Sequence, residues 1–524
     1  MQTLERREQT WQRLHQPWDV LVIGGGITGA GVLMEAARRG LRAALVERGD
    51  FACGASSRSS KLVHGGLRYL KDGRIGLTRE SVREREALLR EAPGLVEPLS
   101  FVTPHYRGRK PGRASIAAGL LLYDLLAGHR SRRYLDARHT LEMVPALDAH
   151  DLTGAHLYGD ASTDDARLVM RVLHEAVDAG ASALNYVCAD GLARRGGRVA
   201  GAVLRDVLTG RHVEVEARVV INAAGPAADR LRAETGAPPA LRPLRGSHLL
   251  LPDWRLPLAQ AVAFFHPHDG RPVFAYPWCD AILVGTTDLD HRADPLEEAS
   301  ISSQEAAYLI AALHHQFPRH AIERRDVIAT FSGVRPVLVS GKADPSRESR
   351  DHLILREQGM VTVTGGKLTT FRPMALAALR AARDALGTSV DLEPRPIFSP
   401  AVPPQAPGLT SSARLRLSGR YGSRAQAVID AAQAGELESI EGSRTLWCEL
   451  RWAARAEDVT RLDDLLLRRT RIGLLLRDGA ARWLPRVREI CSAELNWDDA
   501  RWEREEAAYR AHWQRYHALR FDGA

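Results

Sequence analysis

The chain has 524 residues, too many for one hydrophobic core, so two or three domains are expected. Apolar residues at 45% and charged residues at 26% exclude a disordered or membrane-embedded chain. The excess of Lys and Arg over Asp and Glu, 72 − 64 = +8, suits an anionic substrate or an acidic membrane surface. No basic block interleaved with aromatics is present, so nucleic acid is not an expected partner. Five scattered cysteines, odd in number and without C-x-x-C, suit a reducing compartment and make neither a disulfide framework nor a zinc site. The N-terminus is charged and lacks the apolar core of a secretory signal. No uninterrupted apolar run approaches the ~20 residues that span a bilayer. The expected location is the cytoplasm, or the inner face of the membrane without crossing it.

Asp19–Ile23 is a short β-branched run bounded by turn residues, which predicts a buried parallel strand. It enters GGGITGAG, where Gly24, Gly26 and Gly29 meet the G-x-G-x-x-G spacing. Gly24 permits the tight turn, Gly26 lets backbone approach a pyrophosphate, and Gly29 lets helix and strand pack closely. Val32–Arg39 predicts a helix whose N-terminus presents free amides to the phosphates. Arg42–Val46 predicts a second strand ending in Glu47, where an acid accepts from ribose hydroxyls, roughly 20 residues after the glycines. Strand, glycines, helix, strand and acid in that order predict a dinucleotide site.

Ala52–Gly73 is rich in Ser and Gly and carries Arg58, Lys61, His64 and Arg68, which predicts a functional loop ending in an anion-binding Arg68–Tyr69 pair. The motifs IGGGITGAG, SSRSSKLVHGGLRYL, GSH, GTTD, SGVRP and GGKLTT occur in the order found in the FAD-dependent glycerol-3-phosphate dehydrogenases, and the chain resembles that family from about Trp18 to its end. The C-terminal stretch RWAARAEDVTRLDDLLLRRTRIG is similar to the family's helical tail. The resemblance implies an α/β fold: a Rossmann-like FAD-binding domain, an antiparallel-sheet substrate domain of the glycine oxidase or D-amino-acid oxidase kind, and a C-terminal helical domain. It implies FAD as cofactor, glycerol 3-phosphate as substrate and a membrane quinone as acceptor. The cofactor contacts are then expected from Gly24, Gly26, Ile27, Thr28, Gly29, Glu47 and Arg48. Further contacts are expected from Ser57, Ser59, Ser60, Lys61, Leu62, His64, Gly65 and Gly66, and from Val187, Gly225, Gly366, Lys367, Leu368 and Thr369.

Further along, Glu80–Arg90 reads as a charged helix with a solvated face. Ala114–Ala127 is strongly apolar and lies between basic clusters, which fits either a monotopic membrane contact or a buried helix, with Asp124 arguing against deep lipid. Asp164–Gly180 has helical period and an acidic start. Val219–Gly225 is a strand entering a small-residue turn. From Leu241 to Thr330 short alternating runs broken by Pro and Gly predict an antiparallel sheet, and Glu305–Phe317 a helix. Met360–Gly387 reads as strand, glycine turn and long helix. Pro394–Pro407 is a proline-rich linker. The expected division is 18–100, 150–235 and 330–392 for the FAD domain, 101–149 and 236–329 for the substrate domain, 393–407 as linker and 408–524 as the helical domain.

Oxidising an alcohol carbon requires a hydride acceptor, a group for the hydroxyl proton and charges that fix the substrate. For a phosphorylated polyol the fixing groups should be Arg and Lys. Arg68, Arg335 and Lys367 each lie beside glycines on separate segments, with Tyr69 and Arg350 as further contributors. Arg335 is the first candidate to stabilise a developing alkoxide. His248 is the first candidate base and His64 the second, because histidine titrates near neutrality. No metal site is expected: His314 and His315 face apart on a helix, and His266 and His268 lie in a turn without a partner cluster. Arginines also suit carboxylates, so an FAD oxidase or dehydrogenase of 2-hydroxy or amino acids is the alternative. A non-catalytic flavin-bearing subunit of a membrane complex is a further one. A homodimer is compatible with the sequence, which does not specify one.

Overall fold

The computed structural model describes residues 3–67, 70, 73–128, 131–339, 352–387 and 390–519. Helix α1 (Thr3–Arg13) precedes strand β1 (Trp18–Ile23), which runs through the glycine turn into helix α2 (Ile27–Ala37) and returns as strand β2 (Ala43–Val46). β1 pairs in parallel with β2, Val20 opposite Ala43 and Ile23 opposite Val46. On its other side it pairs in parallel with His212–Asn222, Val20 opposite Val219. The first sheet is completed by Ser182–Leu184 beyond β2, by Met360–Gly365 and His352–Glu357 beyond His212–Asn222, and by an antiparallel ribbon, Val187–Arg195 and Arg198–Asp206. Its central strands are buried on both faces, which is why they read as continuous apolar runs. Helices α2, Asp165–Asp178 and Phe371–Ala381 cover one face.

The second sheet has ten strands and is antiparallel apart from one parallel contact, Ala261–Phe265 beside Val96–Tyr106. Leu241–Pro252 pairs along its length with Ala329–Leu338. Leu152–Thr163 pairs with Val96–Tyr106. Both Leu152–Thr163 and Ala329–Leu338 fall in segments expected in the FAD unit, yet their backbone partners lie in this sheet. Composition does not reveal a strand's partner.

Two helices begin where the sequence places capping chemistry. Asp164 accepts from the Arg167 amide at 3.3 Å, and Ser302 with Glu305 forms a reciprocal capping box before Ser303–Gln316. Helix α3 (Ile75–Glu91) overturns the expectation of a solvated charged face. Glu84 and Arg85 are buried, Glu84 against Arg372 at 2.7 Å and Arg85 against Asp160 at 2.8 Å. Its buried charges pair across the fold, while Arg85 also meets Glu86 at 2.6 Å and Arg90 meets Glu91 at 2.7 Å within the helix. Helix α4 (Arg113–Ala127) is amphipathic in place: Leu120, Tyr123 and Asp124 are buried, whereas Leu121 and Leu125 are 45% and 70% exposed. Asp124 pairs with Arg132 at 2.6 Å. No helix among the described residues is long and apolar enough to cross a membrane.

Candidate active site

One cavity of about 1980 Å³ lies between the two sheets, well above the roughly 300–1,000 Å³ of a drug-sized pocket. Gly24, Gly26, Ile27 and Thr28 close one end. Gly24 has φ +117°, and a Cβ there would fall 2.4 Å from the Ala223 carbonyl oxygen. A Cβ on Gly29 would fall 1.9 Å from the Gly24 carbonyl oxygen, so only glycine lets α2 pack on the turn. Gly29 shapes the turn from behind and does not face the cavity. Glu47, at the end of β2, accepts from the Gly25 and Gly49 amides at 2.7 and 2.9 Å. A carboxylate has about four lone-pair directions, so Glu47 can also accept from ribose hydroxyls. Arg48, Val187 and Gly225 continue this wall. A glycine turn at a helix N-terminus, an oriented carboxylate and a long cavity together fit an extended dinucleotide.

In the loop that follows, Ser59, Ser60, Leu62, His64 and Gly66 border the cavity, and Ser57, Lys61 and Gly65 stand behind it. Lys61 is fully buried: Nζ donates to Asp165 at 2.9 Å and to the Ser57 carbonyl at 2.8 Å, 4.5 Å from the centre of the Phe331 ring. Burial pulls its ammonium down to about 8 against the attraction of Asp165. The expectation of Lys61 at the cofactor is therefore corrected, because its charge is consumed inside the fold. Gly65 donates its amide to Tyr123 Oη at 2.9 Å and to Asp160 at 3.1 Å, and a Cβ there would meet Tyr123 Oη at 2.3 Å.

At the opposite end stands Arg335. Its guanidinium lies over Gly246, where a Cβ would approach to 2.2 Å, so the glycine makes room for the arginine. Arg335 donates to Asp288 at 3.0 Å and to Thr286 Oγ1 at 3.2 Å. The same Asp288 holds Arg271 at 3.3 Å. Two guanidiniums are thus fixed on one buried carboxylate at the cavity wall. Arg271 and Asp288 were missed as site residues; Asp288 belonged to the GTTD motif, but Arg271 follows a hairpin turn and carries no signal of its own. Across the cavity Gly366 (φ +69°) turns the chain, and Lys367 donates to Ser81 Oγ at 2.8 Å. Leu368 and Thr369 follow, Thr369 Oγ1 donating to the His64 carbonyl at 3.4 Å. Arg68, Tyr69 and Arg350 lie outside the described residues.

His248 does not reach the cavity. It is fully buried within Leu241–Pro252, stacked on Phe331 with ring centres 4.6 Å apart, and Nε2 lies 2.9 Å from Ser60 Oγ. Burial, and then the charges of Arg335 and Lys61, hold its pKa well below the ordinary histidine value. The expectation of a base in direct contact with substrate is corrected accordingly: His248 stands behind Ser60, which borders the cavity.

Residues 19–372 match the family described as FAD dependent oxidoreductase, and residues 378–502 the C-terminal domain of alpha-glycerophosphate oxidase. The aerobic glycerol-3-phosphate dehydrogenase of Staphylococcus haemolyticus is 33% identical over 503 residues, covering 90% of this chain and 89% of the relative. That of Bacillus subtilis is 32% identical over 550 residues, covering 99% and 98%. Among solved structures, the glycerol-3-phosphate dehydrogenase of Bacillus halodurans complexed with FAD superposes with TM-score 0.77 at 27% identity, over 98% of both chains. Glycine oxidase from Geobacillus kaustophilus shares the fold, with TM-score 0.52 at 22% identity over 72% of this chain and 97% of its own.

Proposed function

The chain belongs to the FAD-dependent oxidoreductases, among the aerobic glycerol-3-phosphate dehydrogenases, and on that footing we propose that it oxidises sn-glycerol 3-phosphate to dihydroxyacetone phosphate. The observation that carries this reading is the cationic end of the cavity, where Asp288 orients Arg335 and Arg271 and the 365–369 turn presents Lys367. Bound FAD supplies the hydride acceptor. Gly24, Gly26, Glu47 and the start of α2 hold its pyrophosphate and ribose, and Ser59, Ser60, His64, Gly66 and Leu368 border the space towards Arg335. Lys367, with Arg68 and Tyr69 as further contributors, binds the substrate phosphate. Arg335 orients the secondary hydroxyl and stabilises negative charge on its oxygen as the proton leaves. The proton passes to Ser60 Oγ, behind which His248 Nε2 waits as acceptor at 2.9 Å. The apolar wall of Phe101, Tyr158 and Phe274 excludes water from the reacting carbon.

Electrons then pass to a membrane quinone. Helix α4 supports this step: Ile116 and Leu122 line the cavity while Leu121 and Leu125 face outward, so one helix joins the flavin cavity to an apolar surface. The chain accordingly rests on the inner face of the membrane through α4.

The test is anaerobic. Adding sn-glycerol 3-phosphate to the FAD-loaded protein should bleach the visible flavin band, whereas glycerol, 2-hydroxy acids and amino acids should not. Bleaching by an amino acid or 2-hydroxy acid alone would overturn the substrate assignment.

A further inference from the structure

A cluster not used in the chemistry just described joins the segment after the last described helix to Arg58 and Glu298, which border the cavity. Glu298 lies in the segment before helix Ser303–Gln316, and its carboxylate pairs with Arg58 at 2.5 Å. His512 lies just before the last turn of the helix Asp499–Tyr516, and His517 follows that helix directly. His512 Nε2 stands 3.3 Å and His517 Nε2 3.5 Å from the Glu298 carboxylate oxygens. One ligating atom from each of the three residues lies within 4.8 Å of the other two.

Three features make this more than an ion pair. First, Glu298 Oε1, His512 Nε2 and His517 Nε2 are all buried, and none has a hydrogen-bond partner among the described residues. The His517 side chain is 4% exposed. Second, the tautomer of His517 is set from behind. Its Nδ1 lies 2.8 Å from the Thr330 carbonyl oxygen, which can only accept, so Nδ1 carries the proton and Nε2 of the neutral ring points a lone pair at a carboxylate. Two facing acceptors repel unless a cation stands between them. An imidazole N–H given to a backbone carbonyl is also the usual outer support of a metal-bound histidine. Third, the spacing fits. Metal–ligand bonds of about 2.0–2.1 Å in a tetrahedral site put neighbouring ligand atoms about 3.3–3.4 Å apart, and each imidazole stands near that spacing from one carboxylate oxygen, His512 Nε2 3.3 Å from Oε2 and His517 Nε2 3.5 Å from Oε1.

We propose that Glu298, His512 and His517 form a binding site for one first-row divalent transition-metal ion of the zinc type. Two imidazoles and one carboxylate select such an ion over Mg²⁺ or Ca²⁺, which require mostly oxygen ligands. Arg58 holds the carboxylate in place through Oε2, which leaves Oε1 turned to His517. The ion pins the end of the C-terminal helical segment to the wall that carries Arg58 and Glu298. No motif spacing announces it, because its ligands come from distant parts of the chain.

The test uses the full-length, FAD-loaded protein, stripped with a chelator, desalted and titrated with CoCl₂, reading the visible ligand-field bands in difference spectra, with ZnCl₂ as competitor. One equivalent of Co²⁺ should bind with the intense bands of a low-coordinate nitrogen and oxygen site, and Zn²⁺ should displace it. His512→Gln, at a partly exposed position where folding is not at stake, should weaken binding by about 100-fold or more, since losing a ligand costs at least what losing its outer partner does. His517→Gln should do the same while retaining the flavin spectrum. His150→Gln, at an exposed histidine elsewhere, should leave the titration unchanged. Absence of a one-equivalent Co²⁺ signal in the parent protein, or an undiminished signal in His512→Gln, would overturn the site.

Discussion

Arg335 shows how one residue acquires a role from its neighbours. Its guanidinium is free to point into the cavity because Gly246 has no side chain, and it is held there by Asp288 and Thr286. Removing a charged hydrogen-bond donor from the reacting oxygen costs about 1.5–3 kcal/mol. Arg335→Ala should therefore lower kcat/KM for glycerol 3-phosphate by about 10- to 150-fold, with the loss in kcat if the contact is made chiefly in the transition state. A loss confined to KM would assign Arg335 to ground-state binding alone. Lys61 teaches the reverse: it stands in a motif that reads as catalytic, yet its charge is spent on Asp165 within the fold, while His248 is withdrawn behind Ser60 and stacked on Phe331.

At the scale of elements, α2 and α4 differ in how much their sequences determine. For α2 the strand–glycine–helix pattern is local, and turn, helix and Glu47 follow from it. For α4 composition alone left burial and membrane contact equally open. The structure divides the helix instead, turning Leu120, Tyr123 and Asp124 inward and Leu121 and Leu125 outward. Burying a leucine in a lipid interface contributes about 1.5–3 kcal/mol. Leu125→Glu should weaken sedimentation with anionic vesicles by at least about 10-fold and leave activity with a soluble dye acceptor unchanged. Equal vesicle binding by the variant would remove α4 from the membrane face.

For the whole molecule, the decisive contacts are buried ion pairs between the helical C-terminal part and the flavin-side core. Asp50, just after Glu47, accepts from Arg468 at 2.6 Å and from Arg469 at 2.7 and 2.8 Å. Although burial raises its pKa, the two guanidiniums bring it down to about 2. Arg167 and Glu457 add a fully buried two-bond pair. Asp50→Ala would leave the buried Arg469 without its carboxylate, while Arg468 keeps Asp463 and Asp464, and should cost about 3–5 kcal/mol, seen as a lower unfolding temperature and earlier release of flavin. An unchanged unfolding temperature would show that the network does not bear the docking. Acid should also destabilise the molecule. Burial keeps His248 and His174 neutral well below the ordinary histidine range and draws His105 down to about 4. The unfolded chain takes up these protons near pH 6.5 and the native chain does not, so stability should fall as pH drops from about 6.5 towards 4. A flat unfolding temperature across that window would contradict this assignment.

Local chemistry determined what could be read from the chain alone: β1, the glycine turn, α2, β2 and Glu47, the acidic start of the helix Asp165–Asp178, and the placing of Arg335 and Lys367 beside glycines. Each depends on residues within a few positions of one another, where backbone sterics and hydrogen-bond geometry leave little choice. Only the tertiary structure decided which strands pair across the second sheet and which face of α4 meets solvent. It alone showed that Lys61 is consumed internally, that His248 stands behind Ser60, and that Arg271 and Arg335 share Asp288. Those outcomes rest on contacts between segments far apart in sequence, where a charge acquires its role from whatever the fold sets opposite it.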